Sequence, residues 1–250
     1  MSGHSKWHSI KHKKGAADAK RGKIFTLHSK LITLAAREGG GDAEMNAALR
    51  AAIDNAKMAN VPNINIERAI KRGTGDLKDE AEIIESMYEG YGPAGIAVYV
   101  QTVTDNKNRT VSSIKNIFTK SGGNMGTAGS VAYLFHKKGI ILIDADKSKH
   151  DEIELTAIDA GANDIKIEGD SIEVYTEPKN LHEVKVKLEG AGIPVKSADI
   201  TFLPETEVLI KDEEQAKKVL RFMEALEEDE DVANVYSNFD IPEEMMEKLG

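Results

Sequence analysis

The stretch that decides the fold runs from Gly139 to Phe202 and reads GIILIDADKSKHDEIELTAIDAGANDIKIEGDSIEVYTEPKNLHEVKVKLEGAGIPVKSADITF. Short runs rich in β-branched residues alternate in it with two longer runs of helical period. The order is strand, helix, strand, strand, helix, strand, which is that of the ferredoxin-like, or split βαβ, arrangement. The predicted elements cover residues 140–144, 148–160, 163–168, 171–176, 178–190 and 194–202.

The residues before and after this stretch predict a second sheet. Strands at 83–89, 96–103 and 131–135 and a helix at 109–120 precede it, and strands at 207–210 and 232–238 and a helix at 212–226 follow it. The C-terminal segment is too short to bury a core alone, so we expect it to return to the sheet of residues 80–135. The sequence therefore predicts a discontinuous central α+β domain, 76–136 plus 204–250, with a ferredoxin-like (βαββαβ) domain, 137–203, inserted into it.

The N-terminal part of the chain predicts a three-helix bundle. From Lys20 onward an apolar stripe recurs at helical spacing, and its residues are Ile24, Leu27, Leu31 and Leu34, widened by Ile32 and Ala35. Three consecutive glycines after Glu38 end that helix. A second helix is expected over 43–59 and a short third one up to Gly73. Residues 1–75 are thus predicted to form a basic arm followed by a helical bundle, and the fold class of the whole chain is α+β.

Composition excludes several classes of protein. The chain has no cysteine, so disulfides, thiolate nucleophiles and Cys-ligated metal sites are excluded. It has no apolar run long enough to span a membrane, and no apolar segment typical of a secretory signal follows its first residues. We expect a cytoplasmic protein that has no membrane contact, no cofactor and no small-molecule substrate.

Charge is divided unevenly along the chain. Residues 1–73 contain 14 Lys+Arg and 6 Asp+Glu, a net charge of +8, whereas the remaining 177 residues contain 19 and 36, a net charge of -17. A basic end on an acidic body indicates a polyanionic partner, with the body as scaffold or regulator.

The first thirty residues contain eight of the 14 Lys and Arg residues of this region and the only tryptophan of the chain, Trp7. Basic termini are often merely solvated, but Trp7 and Ile10 among the lysines favour a segment that docks or stacks while its charges meet phosphates. Three histidines spaced by four, His4, His8 and His12, suggest zinc as an alternative, which the lack of a nearby acidic or cysteine ligand disfavours.

Two further groups of cations extend the candidate interface. Arg68, Lys71 and Arg72 lie in the last turn of the third helix, where they suit either a polyanion or the helix dipole. Lys107 and Arg109 lie at a strand-to-helix junction, where they are able to bind phosphate, although capping by neighbouring Asp and Asn side chains is the commoner role of such a segment. The candidate nucleic-acid-binding residues are His4, Lys6, Trp7, Lys11, His12, Lys13, Lys14, Lys20, Arg21, Lys23, Arg68, Lys71, Arg72, Lys107 and Arg109.

Several motifs resemble parts of enzyme or ligand sites, but the elements around them differ from those that such sites require. The glycine-rich run 122–129 follows a helix and precedes a strand, the reverse of phosphate-binding loops, so a helix C-cap with a flexible connection is favoured. The acidic run 227–231 lacks the alternating ligands and central glycine of a calcium loop and is interpreted as a solvated turn. No nucleophile elbow or His–carboxylate pair indicates catalysis, so we predict that the protein is not an enzyme.

Short motifs distributed over the whole chain resemble the signature of the YebC/PmpR family. They are GHSKW (3–7), IKHKK (10–14), RGKIF (21–25), NIERAIK (65–71), YEGYGPAG (88–95), TDNKNRT (104–110), GGNMG (122–126), GSV (129–131) and NFDIP (238–242). The resemblance implies a three-domain protein whose ferredoxin-like domain is inserted into the central one. It also implies a cytoplasmic DNA-binding transcriptional regulator or, as for the related mitochondrial translational activator of cytochrome c oxidase, a ribosome-associated factor that relieves stalling at proline runs.

Two partners therefore stay open, DNA and the rRNA or tRNA of the ribosome. The acidic body would repel a long duplex, which favours RNA, and no helix-turn-helix, zinc finger or basic zipper is recognisable. The resemblance favours a DNA-binding regulator. The sequence leaves the oligomeric state undetermined.

Overall fold

The computed structural model describes residues 18–77 and 81–249, which form an N-terminal bundle and two sheet-containing units. The predicted three-helix bundle is present: α1 spans Asp18–Gly39, α2 Ala47–Met58 and α3 Asn63–Gly73. Gly73 lies so close to α1 that a Cβ there would be 2.4 Å from the carbonyl oxygen of Thr33. The bundle core consists of Ile32, Ala36, Leu49, Ala56, Val61, Ile66 and Ala69.

The buried face of α1 differs from the prediction at its N-terminal end. Ile24 is 37% exposed, whereas Ile32 and Leu34 of the predicted stripe are buried. Helix α1 is buried on two sides, because α2 and α3 cover one and the central domain covers another. The second helix begins at Ala47 and not at Ala43, since Asn46 caps it by accepting from the N–H of Leu49 at 3.0 Å.

The ferredoxin-like unit is confirmed. Its strands are β4 (Phe135–Asp144), β5 (Asp164–Glu168), β6 (Ser171–Thr176) and β7 (Ser197–Pro204), and its helices are α5 (His150–Ala160) and α6 (Leu181–Gly190). The strands pair antiparallel in the order β5-β6-β4-β7. Ile141, Ile143, Ile172 and Val174 point from the two central strands toward the helices and form the core with Ile153, Val184 and Leu188.

The central domain is built from both sides of that unit. Before it lie β1 (Ile84–Tyr91), β2 (Ala97–Thr104), α4 (Lys107–Lys120) and β3 (Asn124–Met125); after it lie β8 (Val208–Leu209), α7 (Glu213–Glu227), β9 (Val232–Ser237), β10 (Phe239–Asp240) and α8 (Glu243–Leu249). The main sheet has the order β3-β1-β2-β9, so a strand from the C-terminal segment pairs with β2. This pairing confirms the predicted fold class. The exact domain boundaries stay a prediction.

One predicted strand is wrong. Residues Ala132–Leu134 form a 3-10 turn, and the strand predicted at 131–135 is replaced by β4, which runs without interruption from Phe135. The N–H groups of Val131 and Ala132 donate to the carboxylate of Glu89, so they are not available to a neighbouring strand.

An aromatic cluster joins the ferredoxin-like unit to the outer face of the central sheet. Tyr99 of β2 stacks on Phe135 with ring centroids 5.9 Å apart and meets the edge of Phe202 at 5.2 Å. Phe202 in turn contacts Tyr236 of β9 at 5.1 Å.

In the described ranges, no helix is long and apolar enough to cross a membrane.

Candidate nucleic-acid interface

Three cations on one face of α1 hold the bundle against the central domain. Lys23, Lys30 and Arg37 are seven residues apart, which is two helical turns, so they share a face. The ammonium of Lys23 donates to the carbonyl oxygen of Glu227. Arg37 Nη1 donates to the carbonyl oxygen of Ile83 at 2.6 Å and to Glu82 Oε1 at 2.7 Å. Lys23, predicted as a nucleic-acid contact, is thus engaged within the protein.

Lys30 reaches the most buried of these contacts, a network centred on Asp231. The side chain of Asp231 is only 4% exposed and lies 2.6 Å from Lys30 Nζ. It also accepts from Arg109 Nη2 at 2.9 Å and from the hydroxyl of Thr110 at 2.8 Å. We call Asp231, Lys30, Arg109 and Thr110 the Asp231 network. It joins the bundle, the start of α4 and the segment before β9 at one carboxylate.

The acidity of Asp231 follows from this environment. Burial alone would raise its pKa, but the hydrogen bonds from Lys30, Arg109 and Thr110 outweigh burial and lower the pKa below its ordinary value. The interpretation of residues 227–231 as a solvated turn is therefore wrong for this residue, although Glu228 and Glu230 are exposed. Asp231 was missed because its partners are far away in the sequence; the seven-residue spacing of cations on α1 was the available signal.

The remaining predicted residues fall into separate places. His4, Lys6, Trp7, Lys11, His12, Lys13 and Lys14 lie outside the described residues, and Lys20 and Arg21 belong to the first turns of α1. On α3, Arg68 and Lys71 are exposed and line a shallow groove with Ile64 and Leu77. Arg72 Nη2 donates to the carbonyl oxygen of Ala81 at 2.8 Å.

Lys107 and Arg109 have different environments although they are neighbours on α4. Asn106 caps the helix by accepting from the N–H of Arg109 at 3.1 Å. Lys107 is exposed, whereas the guanidinium of Arg109 is held by Asp231 and by Asp105 at 3.0 Å. The structure therefore brings Arg109 together with Lys30 of the bundle, and the side chain of Arg109 remains 54% exposed.

The end of the glycine-rich run and the residues that follow it form an anion-binding site, which the chain's own Glu89 occupies. The carboxylate of Glu89 accepts from the N–H groups of Gly129 at 2.8 Å and of Val131 and Ala132 at 2.9 Å. Burial would raise the pKa of Glu89, but these backbone donors lower it below its ordinary value. The N–H of Gly123 donates to the carbonyl oxygen of Phe118 at 2.9 Å and ends α4, as expected for the predicted helix C-cap. The interpretation as a flexible connection misses the anchor at Glu89.

The described residues contain no cluster of three or more His, Asp or Glu side chains arranged to hold a metal ion. His4, His8 and His12, on which the zinc alternative depended, are outside the described ranges.

Comparison with known proteins decides the family. A model described as "TACO1/YebC protein N-terminal domain" matches residues 5–76, and one described as "TACO1/YebC second and third domain" matches residues 83–239. The chain belongs to the TACO1/YebC family. This confirms the resemblance inferred from the motifs, and the two matches cover most of the chain.

Relatives in the TACO1/YebC family match the chain from end to end. A "Probable transcriptional regulatory protein" of Halothermothrix orenii is 51% identical, with 100% of this chain and 99% of the relative covered. One of the same name from Trichlorobacter lovleyi is 53% identical, with 100% of both covered. The crystal structure of the conserved hypothetical protein Aq1575 from Aquifex aeolicus is similar, with a TM-score of 0.81 at 47% identity, covering 90% of this chain and 93% of that one.

Proposed function

We propose that this protein is a non-enzymatic, nucleic-acid-binding regulator of gene expression in the cytoplasm. The observation that carries the proposal is the charge division, +8 over residues 1–73 against -17 over the rest. A polyanion is attracted to the first region and repelled by the second. The arm and the bundle then provide the affinity, and the acidic body is the scaffold that carries them.

The described contacts support two roles for the cations of the bundle, namely docking against the central domain and binding of phosphates. Lys23, Lys30 and Arg37 fix α1 to the body, so the bundle is held in one orientation. Lys71 on α3 is exposed, so its ammonium is available to phosphates. Most cations of the arm are lysines, which contact phosphates as point charges and do not recognise bases bidentately. Binding is therefore strongly salt-dependent and only weakly sequence-specific on duplex DNA.

DNA is the first candidate partner, since relatives are named as transcriptional regulatory proteins. The rRNA or tRNA of the ribosome is the second, and Trp7 is the observation that favours it. An indole among lysines is suited to stacking on an unpaired base, which intact duplex DNA does not offer.

A titration of variants against promoter duplexes and against purified ribosomes, at matched salt, tests both partners. Lys13→Ala/Lys14→Ala is expected to weaken binding to whichever partner is physiological. With an RNA partner, Trp7→Ala costs about 1–3 kcal/mol of binding, comparable to the loss of one base stack. Trp7→Ala has almost no effect on a duplex bound through phosphates alone. A lysine variant that binds both partners like the wild type would contradict the proposal.

A further inference from the structure

Helix α4 carries an unusual charge for its surroundings. Its sequence, KNRTVSSIKNIFTK, contains four cations and no acidic residue, although residues 74–250 have a net charge of -17. The later helices α5, α6, α7 and α8 each contain at least two acidic residues. Helix α4 is thus a local positive region on an acidic body.

Three of the four cations of α4 lie on the side opposite its buried residues. Thr110, Ile114 and Phe118 are buried against the sheet and α7. At 100° per residue, the opposite arc is formed by residues three and four apart along the helix. Its exposed members are Asn108, Arg109, Ser112, Lys115, Asn116, Thr119 and Lys120.

The lysines of this face are not neutralised by the protein. Within the described ranges, no carboxylate forms an ion pair with Lys115 or Lys120. By contrast, each of three lysines elsewhere on the body pairs with an acidic residue at 2.6–2.7 Å, namely Lys138, Lys196 and Lys217. The hydroxyls of Ser112 and Thr119 donate to backbone carbonyls of α4 itself at 2.8 Å. The face therefore presents ammonium groups and the amides of two asparagines.

The Asp231 network places this face beside the bundle. Arg109 at the start of α4 and Lys30 of α1 bind the same oxygen of Asp231, at 2.9 and 2.6 Å. Helix α1 begins at Asp18, five residues or about 7.5 Å of helix from Lys23, which contacts Glu227. Helix α1 thus begins close to the acidic turn 227–231, and α4 borders the same turn.

We infer that the exposed face of α4 is a second nucleic-acid contact surface, which binds the phosphodiester backbone next to the part held by the arm. This inference rests on the proposed function and on the charge complementarity between the cations of α4 and phosphate groups. Lys115 and Lys120 are five residues apart, about 7.5 Å along the helix axis and about 140° around it, so they lie at the two edges of the exposed face. Each contacts phosphates as a point charge, without base specificity.

The test compares Lys115→Ala/Lys120→Ala with a matched pair, Lys147→Ala/Lys149→Ala, in the full-length protein. Both pairs are exposed and both remove two positive charges, but Lys147 and Lys149 lie in the ferredoxin-like unit among acidic residues. Affinity for a short DNA duplex and for a single-stranded RNA is measured by fluorescence anisotropy over a range of salt. Lys13→Ala/Lys14→Ala serves as the arm variant, and circular dichroism checks folding.

The α4 variant is expected to bind about tenfold more weakly and to reduce the magnitude of the log–log salt slope by about 1.5, because each lysine accounts for about 0.7–0.9 of that slope. The matched pair retains the wild-type slope, and Lys115→Arg/Lys120→Arg retains both affinity and slope. An α4 variant that binds like the wild type while the arm variant binds weakly overturns this inference alone. Equal weakening by the α4 and the matched pair also overturns it, since only net charge would then matter. A wild-type protein that binds neither nucleic acid overturns the proposed function as well.

Discussion

Two buried carboxylates are stabilised in different ways in this protein. Asp231 is satisfied by side chains from α1 and α4, which belong to separate parts of the chain. Glu89 is satisfied by three backbone N–H groups of a single loop. Cations from distant elements couple one domain to another, whereas backbone donors shape a local turn. The same chemical group thus has an interdomain role at Asp231 and a local role at Glu89.

The largest expected effect follows from Asp231→Asn. It leaves Lys30, which is only 7% exposed, without a countercharge, while Arg109 keeps that of Asp105. Breaking a buried ion pair from one side costs about 3–5 kcal/mol of unfolding free energy. Urea denaturation measures the loss. Glu228→Gln removes an exposed charge from the same turn and is expected to change stability by less than about 0.5 kcal/mol. Equal effects of the two substitutions would show that the network does not couple the domains.

A smaller loss is expected from Glu89→Gln. The substitution keeps the size of the side chain, but its amide nitrogen replaces one oxygen that accepts from the loop, so about 1–3 kcal/mol is lost. The measurement is again urea denaturation, with hydrogen exchange at Gly129, Val131 and Ala132 as a local readout. Exchange at these positions is expected to accelerate while exchange in α1 stays unchanged. Faster exchange in α1 would mean that the Glu89 site is not local.

The acid limb of stability compares both carboxylates in one experiment. The pKa of each is lowered in the folded state from ordinary values of 3.8 for Asp231 and 4.5 for Glu89. Their contributions are therefore fully present above these values and are lost as the pH falls below them toward the folded-state pKa. Below about pH 4.5, each single variant should lose less stability with decreasing pH than the wild type does. An acid limb identical to that of the wild type in both variants would contradict the assigned pKa directions.

The smallest effect on stability is expected from Lys71→Ala, which removes an exposed cation of the bundle. Its unfolding free energy should change by less than about 0.5 kcal/mol, because the side chain is solvated. Its nucleic-acid salt slope should decrease in magnitude by about 1, as for the loss of one phosphate contact. Lys30→Met is expected to cause a large loss of unfolding free energy and to leave the salt slope unchanged. A stability loss for Lys71→Ala as large as that for Lys30→Met would remove the distinction between docking and binding cations.

The sequence alone determined most of the elements and their order. The three bundle helices, the βαββαβ order and the return of the C-terminal segment follow from periodicity, glycine positions and segment length, which are properties of short stretches of chain. Family motifs and the division of charge were likewise visible without coordinates. For the candidate site, these patterns predicted that cations mark an interface. They did not predict which cations contact other parts of the protein itself.

Only the tertiary structure decided the partners of individual charges. Lys30 and Asp231 are 201 residues apart, and the seven-residue spacing of the cations on α1 does not indicate which acceptor Lys30 reaches. The 3-10 turn at Ala132–Leu134 likewise depends on Glu89, more than forty residues earlier in the chain. Short-range patterns report which faces are apolar, but a buried charge is stable only when a complementary group is brought to it from elsewhere in the fold. That complementarity arises when the bundle docks on the central domain, and it is therefore a property of the tertiary structure.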